Sequence, residues 1–192
     1  MKKDKNYRTL LTSLLLSLPG PIVLLVAVFQ TTSATQWADF FRRTAELIAI
    51  IVSFIAYRQK SKPQSEKIAN LTVAFAMILS GGIMTFIAVF AHKAPTGNAT
   101  LGLVIAALSL ITNGIFWRRY YVLSSHGDGT IIATQKRLYR AKSIADAAVI
   151  ITLLFVTFLA DNPAVSLIDL SCSLVIALYL FWNARRIIKA KY

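Results

Sequence analysis

Six stretches of this chain are each about as long as a bilayer crossing and poor in charge: roughly 9–30, 36–57, 68–91, 99–122, 143–160 and 164–184. A helix of about 20 mostly apolar residues reaches across the hydrocarbon core. Inside lipid every backbone N–H and C=O must be paired within the chain, which leaves helices as the structure for runs of this length. The pattern therefore predicts an all-α, polytopic integral membrane protein: one transmembrane domain over 1–192 with six transmembrane helices. Composition agrees. Hydrophobic residues make up 56% of the chain and charged residues 15%, against roughly 25% charged in soluble domains.

A formal net charge of +13 could point to nucleic acid, because clustered Lys and Arg release counterions from phosphates. Here the cations sit between apolar spans. With connections alternating sides, one side receives Lys2, Lys3, Lys5 and Arg8, then Arg58, Lys60, Lys62 and Lys67. It also receives Arg118, Arg119, Lys136, Arg137 and Arg140, and finally Arg185, Arg186, Lys189 and Lys191, whereas the opposite side receives Lys93 alone. Retention of Lys and Arg in the cytoplasm accounts for this asymmetry and predicts both termini inside, N-in and C-in. The partner is then the lipid bilayer and not nucleic acid, and the expected location is a bacterial inner or plasma membrane.

Local features refine the picture. Pro19-Gly20-Pro21 falls within the first span, where a missing donor and a ring clash predict a kink. The longest cytoplasmic link, about Leu123 to Arg140, carries the turn-like His126-Gly127-Asp128-Gly129. Short outer connections at Thr31–Thr35, His92–Asn98 and Asp161-Asn162-Pro163 leave no room for an outer domain. A single Cys172 excludes an intramolecular disulfide or a multi-Cys zinc site. Two loop-region histidines and one cysteine supply no nucleophile constellation or cofactor site, so no enzyme and no cofactor are predicted.

Ionisable groups within spans are costly unless paired or hydrated, which makes them site candidates. In the second span Arg42 and Glu46 lie four apart on one helical face, with Asp39 a turn earlier near Arg42 and Arg43. In the fifth, Lys142 and Asp146 repeat the spacing. If the two helices face each other, their four charges sum to zero. Asn113 in the fourth span and Asp169 in the sixth are further polar candidates; Asn113 reads either as interhelical glue or as the lining of a path. Ser80-Gly81-Gly82 and Ala147-Ala148 permit close helix approach.

Several of these elements, in this order across roughly 9–188, resemble the transmembrane domain of the cation diffusion facilitator family. Thr32-Ser33-Ala34 followed by Trp37-Ala38-Asp39 is similar to the family's passage from helix one into helix two, and Tyr57-Arg58-Gln59-Lys60-Ser61-Lys62-Pro63 to its basic exit. Asn113 stands where the fourth helix often carries Asn. Ala145-Asp146-Ala147 looks like the fifth-helix acidic motif, Asp161-Asn162-Pro163 through Asp169 like the outer turn and sixth-helix Asp, and Trp182-Asn183-Ala184-Arg185-Arg186 like the final exit. The chain departs from the family at the metal site. The family's second and fifth helices each supply a His or Asp followed four residues later by Asp; here the matching positions are Arg42 with Glu46 and Lys142 with Asp146. Arg and a protonated Lys have no lone pair for a metal, so only Glu46 and Asp146 remain as candidate ligands. The chain stops at Tyr192, whereas many family members continue into a cytoplasmic domain.

The resemblance implies a secondary transporter moving a cation, a divalent metal or one coupled to protons, through a site between the second and fifth helices, and it suggests a homodimer. The candidate pathway residues are Asp39, Arg42, Glu46, Asn113, Lys142, Asp146 and Asp169. The alternative is a non-transporting relative in which the two i,i+4 ion pairs replace the metal site and lock the helices.

Overall fold

The computed structural model describes residues 2–29, 34–59, 63–90, 99–125, 129–158 and 164–190. Among them the chain is helical: α1 (Lys2–Ser17), α2 (Pro19–Phe29), α3 (Ala34–Arg58), α4 (Pro63–Phe90), α5 (Ala99–Ser125), α6 (Gly129–Phe158) and α7 (Ala164–Ile188). The helices make a six-span all-α bundle in which α1 and α2 form the first span, interrupted at Leu18. The interruption has a local cause. The Leu18 amide still donates to the Leu14 carbonyl at 3.1 Å, but Pro19 and Pro21 have no N–H to continue the ladder. The outer connections singled out in the sequence at 31–33, 92–98 and 161–163 and the turn residues 126–128 lie outside the described residues.

Two described segments, Pro63–Phe86 and Leu170–Ile188, are long and apolar enough by composition to cross a membrane. In α3 and α6 the charges at Arg42, Arg43, Glu46, Lys142 and Asp146 interrupt the apolar runs. The bundle, not each helix alone, accommodates these two spans.

The core is built from small and medium apolar side chains on facing stripes: Leu10, Ala49, Ile50, Val73, Met77 and Ile176 are among its buried members. Large apolar residues on the outer faces, such as Phe75, Phe86, Phe90, Leu108 and Leu178, are exposed. In an integral membrane chain such a surface faces lipid. α5 runs along α6, and α4 lies between α3 and α7. The α4–α7 approach is close at Gly81, where a Cβ would come within 3.2 Å of the Phe181 ring and 3.3 Å of the Ala177 carbonyl oxygen.

The sequence pattern makes Leu123–Arg140 a link; the structure instead begins α6 at Gly129. An apolar-window criterion misses this extension because it is amphipathic: Ile131, Ile132, Leu138 and Tyr139 are buried while Arg140 is exposed. Gly129 opens α6 at φ +87°, a conformation that costs residues with a Cβ. One residue on, Thr130 Oγ1 donates to Glu66 Oε2 at 2.7 Å and accepts from Asn70 Nδ2 at 3.2 Å, tying the start of α6 to the first turns of α4. Thr130→Val removes the hydroxyl at constant shape, and a loss of about 1 kcal/mol is expected in thermal unfolding. An unchanged melting temperature would mean that this tie contributes nothing.

Candidate functional site

The centre of the bundle holds charge. Glu46 on α3 is buried, 5% exposed, and among the described residues its carboxylate meets cations from two helices. Arg42 Nη1, one turn back on the same helix, lies 3.5 Å from Oε1. Lys142 Nζ on α6 lies 3.3 Å from Oε2. Each oxygen therefore faces a different cation, and the Lys142 contact bridges two helices.

The sequence spacing places Lys142 with Asp146 on α6. The structure reassigns both partners: among the described residues Lys142 reaches across to Glu46, and Asp146 Oδ2 accepts a hydrogen bond at 2.7 Å from Asn113 Nδ2 on α5. Both Asn113 and Asp146 are buried. The i,i+4 spacing on α6 is retained, but Lys142 finds a carboxylate on the neighbouring helix with Arg42 already beside it. Electrostatically the group still acts as a unit, since Arg42, Arg43 and Lys142 lie near enough to act on Asp146 as well as on Glu46. Asp39 falls on α3 and Asp169 on α7; their side chains lie outside the described residues.

A cavity of about 10 Å³ opens beside the ion pair, lined by Arg42, Glu46, Lys142, Met77, Ser80 and Leu180 among others. That is room for about one water. Ser80 Oγ is buried without a hydrogen-bond partner among the described residues, so the cavity brings an unsatisfied hydroxyl to the ion pair. Asp146 is set apart from this lining, held toward α5 by Asn113. The structure thus gathers Arg42, Glu46 and Lys142 around one cavity and places Asp146 with Asn113 beside it. Among the described residues no group of three or more His, Cys, Asp or Glu side chains is placed to hold a metal ion.

Sequence reasoning missed several polar residues on the same helix faces. Gln135 and Tyr139 precede Lys142 on α6, and Ser53 follows Glu46 on α3 by two turns. Gln135 Nε2 donates to Ser53 Oγ at 2.8 Å, and both side chains are buried. The available signal was the repeat of polar residues at seven-residue steps, Gln135 to Lys142 and Glu46 to Ser53, read along two antiparallel helices.

A family model described as the cation efflux transmembrane domain matches residues 10–192 of the chain. No curated protein matches it.

Proposed function

Because the chain belongs to the cation efflux family, a family of cation transporters, we propose that it is a secondary transporter. Its cargo is a cation, and its central site lies between α3 and α6. The observation that carries the reading is the buried Glu46 carboxylate shared between Arg42 at 3.5 Å and Lys142 at 3.3 Å.

Burying one carboxylate is costly, and here Arg42 and Lys142 both offset that cost. A transported cation has to take over that role. As it binds Glu46, the Lys142 ammonium must withdraw, because Arg42 and Lys142 already flank that carboxylate and a third positive charge there would be uncompensated. Asp146 lies one turn further along α6 and supplies a second carboxylate when its bond to Asn113 opens. Alternation then consists of exchanging one internal ion pair for one with the cargo, so that no state leaves a buried charge alone. Arg42 and a protonated Lys142 offer no lone pairs, so the cargo is a hard, hydrated divalent cation or a proton and not a tetrahedrally ligated zinc ion. Both termini face the cytoplasm in this reading, as the distribution of Lys and Arg supports.

A second reading rests on the same contact: a carboxylate bridged to two cations in a nearly filled cavity also suits a non-transporting relative locked by ion pairs.

Purified protein in liposomes separates the two. Uptake of Mn, Fe, Co, Zn or Cd ions, with the internal pH followed by a trapped dye, is expected to exceed that of empty vesicles. Asp146→Asn should lower it at least about tenfold, in line with the loss of a charged intramembrane ligand. If no tested ion moves and Asp146→Asn changes only the melting temperature, the locked reading stands.

A further inference from the structure

The face of α6 that carries Lys142 continues toward its start through Tyr139 and Gln135, and the facing stripe of α3 continues from Glu46 to Ser53. Two turns along α6 match two turns back along α3, so Gln135–Ser53 is a second polar crossing between the same two helices, about 10 Å from the Glu46–Lys142 pair. Tyr139 lies between the crossings, with Lys142 Nζ 5.2 Å from its ring centre.

The hydrogen bonds at this second crossing leave one group over. Ser53 Oγ donates to the Ala49 carbonyl at 2.8 Å. Its hydroxyl proton is therefore spent, and it can only accept from Gln135, whose Nε2 approaches at 2.8 Å. This fixes the amide orientation and turns Oε1 away from Ser53. Gln135 is 0% exposed, yet Oε1 has no donor among the described residues. A bare amide oxygen of this kind requires a donor. Two hydroxyls of α1 are occupied: Ser13 Oγ bonds Tyr120 at 2.7 Å, and Ser17 Oγ bonds Tyr139 at 3.3 Å. Asn6 Oδ1, two turns before Ser13 on α1, is likewise buried and unpartnered among the described residues.

We propose that Gln135 Oε1 anchors a bound-water site between α1, α3 and α6, and that this water hydrates the Lys142 ammonium when it leaves Glu46. The site itself rests on the amide geometry; its use by Lys142 rests on the transport reading. Water is the donor that fits. It satisfies a buried acceptor while donating onward, and it can solvate a cation emerging past the Tyr139 ring. Without it, Lys142 would leave its carboxylate for an apolar core.

X-ray radiolysis in liposomes tests the site, because hydroxyl radicals made from bound water label side chains beside it whether or not bulk solvent reaches them. Tyr139, 1% exposed, is expected to be labelled within about tenfold of the rate of Tyr121, which is 61% exposed. Gln135→Met keeps volume but removes the acceptor and should lower that labelling at least about threefold. An unlabelled Tyr139 in the wild-type protein, or equal labelling in Gln135→Met, overturns the proposal. The readout needs no transport. Labelling as expected without cation flux leaves the water site standing and sinks the transporter reading; flux with an unlabelled Tyr139 does the reverse.

Discussion

Glu46→Gln is expected to destabilise the protein by roughly 3–5 kcal/mol, the range for removing one partner of a buried ion pair. The size follows from what remains. Side-chain exposures are 13% for Lys142 and 7% for Glu46, so the ammonium would stay largely out of water with its carboxylate gone. Gln offers one neutral oxygen in place of two charged ones. Lys142→Met should cost less, because Glu46 keeps Arg42 at 3.5 Å. The double variant Glu46→Gln/Lys142→Met should recover part of the loss, since the stranded charge is removed with its partner. Thermal unfolding of the four proteins in one detergent closes the cycle. If Glu46→Gln melts with the wild type, the ion pair is not what joins α3 to α6.

Gly81→Leu has the second-largest expected effect, about 3 kcal/mol, at the upper end of overpacking costs. Even a Cβ at this position meets the Phe181 ring at 3.2 Å and the Ala177 carbonyl oxygen at 3.3 Å. The ring is partly exposed and can turn aside; the carbonyl belongs to the α7 ladder and moves only with its helix. A leucine therefore pushes α7 off α4, which also carries Ser80 and Met77 of the cavity. A Cβ added at Gly82 would meet nothing within 4 Å, so Gly82→Leu is the matched control and should melt close to the wild type. Similar losses for the two variants would show that helix propensity, not the α4–α7 contact, sets the effect.

Helical class was legible in the sequence because lipid imposes it residue by residue. Runs of apolar side chains can only be helices there, and Pro19 and Pro21 remove donors wherever they stand in such a run. The resemblance was carried by local motifs at Asp39, Asn113, Asp146 and Asp169. The extension of α6 to Gly129 was not legible by apolar windows, since its buried face is Ile131, Ile132, Leu138 and Tyr139 while charged residues interrupt the run.

Spacing along one helix singled out the charged residues of the central cluster but not their partners. Arg42–Glu46 follows from the i,i+4 rule and is present; Lys142–Asp146 obeys the same rule, yet Lys142 meets Glu46 and Asp146 meets Asn113. Side-chain reach within a helix is set by its pitch, which the sequence contains. Which of two equally reachable carboxylates an ammonium takes is set by how neighbouring helices are rotated and how deeply each group is buried. Likewise Gln135 and Ser53 are ordinary polar residues until α3 and α6 are laid antiparallel, when they become the second crossing beside the ion pair. An all-helical membrane bundle with acids and bases within its spans is written into the order of the residues; which of those groups pair was settled by the packing of the helices, because pairing depends on distances between helices that no single helix encodes.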